Sequence, residues 1–385
     1  MALLMEGYLV ELNTPGLEPS TDSPSSLEFM RRRFEDCLKL HSACRRFVSV
    51  GYTPSRLLDV GKHLGDSVRV VEKQDVVGSG YATLSHCWGD GNIPRLMADN
   101  EHELRGGIKV TDLPLTFADA VRVCRHLDIR HLWIDSLCIK QDSAEDWAVE
   151  SSRMKDTYMS AALNIAASSA TNSHGGLFFD RDPDIVGPFP VRVGAPWGAR
   201  RVYNSRKYDN ADDGLPLNQR GWVMQERLLS NRTLHFTSTE IFWQCRSQLS
   251  SESVSDLGVL EDMQQHGVNP CRLRNLAAAW SRFVKRYSTC GLSHESDKLV
   301  ALCGIFEEVE KVVGDECMAG HWKRQLPNSL CWVVFPQIPV PSHEWRAPSW
   351  SWASMNSGVS PYMEKEERLF ILAELLEVSV RRKIN

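Results

Sequence analysis

The chain has 385 residues, of which 42% are hydrophobic and 24% charged, and its net charge is −5. That length supports two or three domains with a sizeable core, and the mild negative charge gives no footing on nucleic acid, which is not expected as a partner. No apolar run approaches the roughly 20 residues that span a bilayer. The first six residues lack the basic start of a signal peptide, and eleven scattered cysteines suit reduced thiols in the cytoplasm.

Pro15 to Ser26 is rich in Pro, Ser and Thr and reads as a linker. From Ser26 to about Phe47, Leu27, Met30, Phe34, Cys37, Leu38, His41 and Cys44 recur at spacings of three and four, which predicts a helix. Arg31, Arg32 and Arg33 read as its solvated face beside Glu35 and Asp36, not as a localisation signal. Cys37, His41 and Cys44 stand at i, i+4 and i+7, and two thiolates with an imidazole suit zinc. Tetrahedral zinc needs a fourth ligand, which the sequence does not name, and apolar packing explains the same spacing, so no metal is expected.

Ser67 to Glu72 reads as a strand, and Tyr81 to Leu84 as a central one running into Ser85-His86-Cys87-Trp88-Gly89-Asp90. Thr116 then offers a capping hydroxyl with Asp119 three residues on, ahead of the apolar face Phe117, Ala120, Val121, Cys124 and Leu127. His131 to Asp135 is the second strand, Ser143 caps a third helix with Asp146 at the matching position, and Leu163 to Ala167 is another buried strand. Strand and helix alternating at this spacing predict an α/β fold with a parallel sheet and flanking helices. The sequence of the 190s to 210s is turn-rich. Beyond it lie a β-hairpin (Thr233 to Phe236, Ile241 to Gln244), amphipathic helices over 272–288 and 296–311, and a Trp-rich end at Trp350-Ser351-Trp352. There is no internal repeat.

In a parallel sheet the carboxyl ends of the strands share one edge, where ligands bind. Asp135 and Ser136 end one strand there, as do Ser85 and His86. Glu150 lies about two turns into the helix that follows, on the stripe Trp147, Glu150, Met154, Tyr158 that faces the interior. A carboxylate carried inward is costly unless paired, and its desolvation suits catalysis; pairing with Arg153 or Lys155 at the stripe edge is the plainer reading. Asp135 equally suits an Asx-turn. Cys138, with His86 as base, has the parts of a nucleophile, although a Cys between Leu137 and Ile139 reads first as a small buried hydrophobe. Gly221, Trp222, Gln225, Glu226 and Arg227 form a polar-aromatic knot suited to holding the hairpin on the sheet.

Several blocks resemble the fungal heterokaryon incompatibility (HET) domain family: Tyr81-Ala82-Thr83-Leu84-Ser85-His86-Cys87-Trp88-Gly89, Leu113 to Ala120, Leu132 to Gln141 with Trp147 and Met154, Gly175-Gly176-Leu177, and Arg220 to Ser230. The resemblance implies a HET core over 76–230, between an N-terminal lead and helical segment, 1–75, and a C-terminal hairpin, helical and Trp-rich region, 231–385. It implies a flavodoxin-like or Toll/interleukin-receptor-like core and a role in nonself recognition that promotes programmed cell death. Partners would be other incompatibility or signalling proteins, or further copies of the chain. Some Toll/interleukin-receptor domains cleave NAD with a helix glutamate, and Trp147-Ala148-Val149-Glu150 echoes their wording without its Cys. On that likeness Glu150 and Asp135 are the candidate catalytic acids, NAD the substrate, and Ser85, His86, Trp88, Ser136 and Trp147 the candidate binding residues. A carboxylate there would stabilise an oxocarbenium-like state, and Trp88 or Trp147 would stack on a ring. Two other readings stay open: a non-catalytic module that acts by oligomerising, and an accessory protein of a biosynthetic pathway.

Overall fold

The computed structural model describes residues 16–45, 51–61, 65–76, 80–89, 93–186, 190–193, 200–203, 214–254, 276–335, 342 and 345–361. The apolar start, the helix end at Phe47, Asp90, most of the turn-rich 190s to 210s and the first residues of the helix expected from 272 lie outside them. The described residues fall into two compact units, one within Met1–Leu217 and Ser230–Leu260, the other within Asn218–Leu229 and Glu261–Asn385.

The first unit is built on a nine-stranded sheet. Its strands are β1 (Arg56–Asp59), β2 (Ser67–Glu72), β3 (Ala82–Ser85), β4 (Ile108–Lys109), β5 (His131–Trp133), β6 (Leu163–Ala166), β9 (Arg232–Phe236), β10 (Ile241–Cys245) and β11 (Leu249–Ser251), while β7 (Pro190–Val193) and β8 (Arg200–Tyr203) form a separate hairpin. The spatial order is β11-β10-β9-β6-β3-β5-β1-β2-β4. Only β9, β6, β3 and β5 run parallel; every pairing outside them is antiparallel. The parallel sheet expected from the sequence is present at the centre, and antiparallel margins make the sheet as a whole mixed. β9 and β10 are joined by residues 237–240 and β1 and β2 by residues 60–66, links shorter than the crossover of a dozen or more residues that a parallel neighbour needs, so β10 and β2 reverse direction beside β9 and β1.

Side chains alternate across the central strands. Ala82, Leu84, Leu132, Ile134, Leu163 and Ile165 join a core completed by Phe117, Ala120, Val121 and Cys124 of α4 (Leu115–His126) and by Met30, Phe34 and Cys37 of α1 (Pro24–Leu40). On the other face Trp133 meets Tyr158 of α6 (Ala144–Ser160) edge-on at 5.8 Å. Right-handed crossovers account for this division: the chain moves one way from β3 through α4 to β5, then back past β3 through α6 to β6.

The lead-in from Pro15 to Ser26 is not a free linker where it is described. Thr21 and Ser26 are fully buried, Thr21 pairs with Phe179 through backbone and side chain, and Ser23 caps α1 by accepting from Ser26 N. Hydroxyl-rich composition here serves turn and cap bonds instead of solvation. The helix itself stops at Leu40, and a short helix α2 (Ser42–Arg45) follows the break at His41.

In the second unit Trp280, Phe283 and Tyr287 of the helix Leu276–Tyr287 pack with Trp322 and Trp352. The indole N–H groups of Trp280 and Trp352 both donate to Gly320 O at 3.0 Å. Gly320 has φ +89°, and a Cβ there would meet the Trp352 ring at 2.8 Å, so the close approach requires glycine. The helix expected over 296–311 is broken into Asp297–Val300 and Cys303–Val313.

Candidate functional site

Numbered along the chain, the four parallel strands lie in the order 2-1-3-4, so the winding direction reverses between β3 and β6. An open sheet gapes at such a reversal, outside the carboxyl ends of its strands. The residues leaving β3 there are Ser85, His86, Cys87 and Trp88, and those leaving β5 begin a short helix α5 (Asp135–Cys138).

Asp135 gathers three of the candidate residues. Its Oδ2 accepts from Trp88 Nε1 at 2.9 Å, and its Oδ1 accepts from Ser136 N at 2.8 Å. His86 Nδ1 lies 3.9 Å from Oδ1. The imidazole is buried and sets its edge on Phe117, centroid to centroid 4.9 Å. The Asp135 side chain keeps a quarter of its surface open, which makes this the solvent-reached carboxylate of the sheet edge. Arg95 stacks over the Trp88 ring at 5.4 Å. An acid oriented by two N–H donors between an imidazole and an indole can position a polar ligand or accept from one.

Ser85 points to the opposite face, as the period of the strand demands. There Asn164 Oδ1 accepts from Ser85 Oγ at 3.1 Å and from Thr83 Oγ1 at 3.0 Å, all three residues being buried. Ser136 is buried, and its hydroxyl has no hydrogen-bond partner among the described residues. Cys138 is buried, and burial pushes its thiol up to about 12, with Glu150 and Asp135 adding to the rise. A thiol so far above neutrality is no nucleophile, so the packing reading of Cys138 holds.

Glu150 sits apart from the Asp135 bonds, on α6. It is 2% exposed, and its Oε1 accepts from Ser55 Oγ at 2.6 Å. Neither Arg153 nor Lys155 pairs with it among the described residues, and it has no ion pair there. Trp147, expected on the buried side of the same stripe, is 39% exposed. One turn earlier Asp146 accepts from Arg56 at 2.6 Å and from Lys140 N at 2.8 Å, while Arg56 Nε donates to Cys138 O at 2.8 Å. This buried pair clamps β1 onto the loop after α5.

Thr116 does not cap its own helix, whose N-cap is Pro114. Its Oγ1 accepts instead from Gly176 N at 3.0 Å, and Asp119 accepts from Leu177 N at 2.8 Å. Desolvation nevertheless raises the Asp119 carboxyl. The turn so held packs on the residue after Trp88: Gly89 has φ +71°, and a Cβ there would fall 2.4 Å from Asn172 Cβ. Three separated sequence blocks therefore meet beside the sheet edge that bears Asp135. The knot at 221–227 bonds within the second unit, Trp222 Nε1 to Asp297 Oδ2 at 3.3 Å and Gly304 N to Gln225 Oε1 at 3.0 Å.

Cys37, His41 and Cys44 also come together, joined by Cys245 at the end of β10. Hydrogen bonds with Cys245 and Cys37 hold the Cys44 thiol well below its ordinary range, and hydrogen bonds with Cys245 and Cys44 raise Cys37. Sequence reasoning missed Ser55, Arg56, Asn164 and Cys245. Only Asn164 carried a signal, a polar letter inside the otherwise apolar strand Leu163-Asn164-Ile165-Ala166.

Residues 81–226 match the family model described as heterokaryon incompatibility protein (HET). Over 95 residues the chain is 33% identical to "Heterokaryon incompatibility protein 6, OR allele" of Neurospora crassa, an alignment covering 21% of this chain and 13% of that relative. No solved structure matches. Among the described residues no helix is long and apolar enough to cross a membrane.

Proposed function

On the premise that the chain belongs to the HET family through residues 81–226, we propose that it acts in fungal nonself recognition and promotes cell-death signalling. The observation that carries this reading is the convergence of the matched blocks of the first unit, at 81–89, 113–120, 132–141 and 175–177, on one sheet edge, where Trp88 and Ser136 N–H groups orient the accessible carboxylate of Asp135. The toxic output of such a protein depends on that edge, with a flavodoxin-like or Toll-like core as its frame and other incompatibility proteins or further copies of the chain as its partners. Inducible expression in a fungal host tests it: wild type arrests growth, and Asp135→Asn relieves the arrest at equal protein level. A wild type that accumulates folded and leaves growth unchanged overturns it.

The second reading is chemical and rests on Glu150. A carboxylate 2% exposed, bonded by one serine and free of any ion pair among the described residues, is held at an energetic cost. Glutamates this buried are rare unless paired, which singles Glu150 out. In this reading Glu150 stabilises the oxocarbenium-like state as nicotinamide leaves NAD, and water adds to the ribose carbon and gives up a proton to complete the hydrolysis. Purified wild type then releases nicotinamide and Glu150→Gln does not. Absence of release from folded, concentrated wild type excludes NAD as the substrate.

A further inference from the structure

We propose that Cys37, His41, Cys44 and Cys245 bind one zinc ion that fastens the N-terminal helices to the antiparallel margin of the sheet. This site is independent of the functional reading above.

Four ligand atoms from these residues all lie within 4.8 Å of one another. His41 Nδ1 and Cys245 Sγ are 3.3 Å apart. Zinc bonds of about 2.3 Å to sulfur and 2.0–2.1 Å to nitrogen place tetrahedral ligand atoms about 3.5–3.8 Å from each other. The cluster therefore brackets the required spacing, and small side-chain rotations close it. Three thiolates and one imidazole make a Cys3His set, in which the protein fills every position, as in a structural site.

The backbone is arranged for convergence. Cys37 lies in the last turn of α1, which ends at Leu40, and His41 leaves helical geometry with φ −94° and ψ 91° while its N–H still bonds Cys37 O. That break turns the short helix α2, so that Cys44 faces the same point as Cys37. Both are fully buried. Cys245 arrives from the far side as the last residue of β10, directly opposite Arg232 of β9 in the ladder.

Arg232 supplies an independent reason. It is 3% exposed, and its Nε donates to Cys37 Sγ at 3.2 Å, with further bonds to the carbonyls of Cys44 at 3.4 Å and Ala162 at 3.3 Å. No carboxylate pairs with it among the described residues. A buried guanidinium needs a counter-charge. Zinc with three thiolates and a neutral imidazole carries a net charge of −1, which Arg232 balances from the next shell out, where outer partners tune metal sites. On binding, each thiol that still holds its proton releases it to solvent, and no oxidation is involved.

The test uses the full chain purified with a thiol reductant and without chelator. Elemental analysis is expected to find one zinc per chain after gel filtration, and cobalt(II) exchanged into it is expected to give tetrahedral ligand-field bands with thiolate-to-cobalt charge transfer. Cys245→Ser should bind zinc at least about tenfold more weakly against a competing chelator, whereas Cys303→Ser, outside the cluster, keeps full occupancy. Should Cys245→Ser fail to fold, the cobalt spectrum of the wild type decides. Folded wild type that takes up no zinc on reconstitution, gives no charge-transfer band, or holds two of these cysteines as a disulfide overturns the site.

Discussion

Removal of the Arg56 guanidinium should loosen the segment that follows α5, the short helix that Asp135 opens. Arg56 is 6% exposed at its side chain and Asp146 21%, and Arg56 also donates to Cys138 O. Breaking one partner of a buried pair costs about 3–5 kcal/mol, because the other charge is left without compensation. Asp146 keeps some water and its bond from Lys140 N, so Arg56→Met should fall at the low end, about 3 kcal/mol. For a unit of this size that is a fall of about 6–12 °C in Tm. Asp146→Asn should cost more than that, since it strands the better-buried guanidinium while retaining an acceptor for Lys140 N. The double variant should be less damaging than the sum of the singles by about 1–3 kcal/mol. Calorimetry on all four proteins closes the cycle. Additive losses would refute the pairing argument and reduce Arg56 to a packing residue.

Gly89→Ala should destabilise by more than about 1 kcal/mol, since it adds a side chain at φ +71° and drives Cβ to 2.4 Å from Asn172 Cβ. Gly106→Ala, with nothing within 4 Å of the added carbon, should be neutral or stabilising by up to about 1 kcal/mol in urea titrations; equal losses at both positions would discard the steric explanation. Burial lowers His321 to about 4, below its unfolded value of about 6.5. Between those values the unfolded chain binds more protons, so stability falls as pH falls, by up to about 1.4 kcal/mol per pH unit. Tryptophan fluorescence of the second unit in urea at pH 7 and pH 5 should register that loss, and His321→Gln should shrink it; an unchanged pH slope in the variant would exclude His321 as its source.

The central strands, α4 and the hairpin were legible because their apolar letters keep a strict period, and burial decides that period. The direction of the marginal strands was not, since β1 pairs antiparallel with β5 through Leu58 opposite Leu132, and β2 with β1 through Val70 opposite Leu58, a choice made by tertiary pairing. Asp135 was expected as the last residue of a strand and instead lies just past β5, opening α5; its partner Trp88 follows a different strand, 47 positions away. The same separation hid Ser55 from Glu150 and Cys245 from the Cys37 helix: local spacing reveals one side of a contact, and topology supplies the other. Thr116 shows the converse error. Its spacing to Asp119 fits a capping box, but both side chains serve the turn at Gly176 and Leu177, because Pro114 already fixes the helix start.

The two candidate acids differ in what a neutral isostere would disturb, and that difference makes their functional tests interpretable. Asp135 accepts from two N–H groups, one of them Ser136 N, the second amide of α5. An asparagine there retains a single oxygen, so one donor loses its acceptor and the Trp88 indole is free to move. Glu150 accepts through Oε1 from Ser55 alone among the described residues, and the glutamine carbonyl can take the same bond. Glu150→Gln therefore removes charge from a buried site while leaving the hydrogen bond in place, and loss of buried charge favours the fold if it changes it at all. A Glu150→Gln protein that is as stable as wild type but fails to kill isolates the charge as the functional element. An Asp135→Asn protein with the same phenotype leaves geometry and charge entangled, and it needs the thermal data beside it before the carboxylate itself is credited.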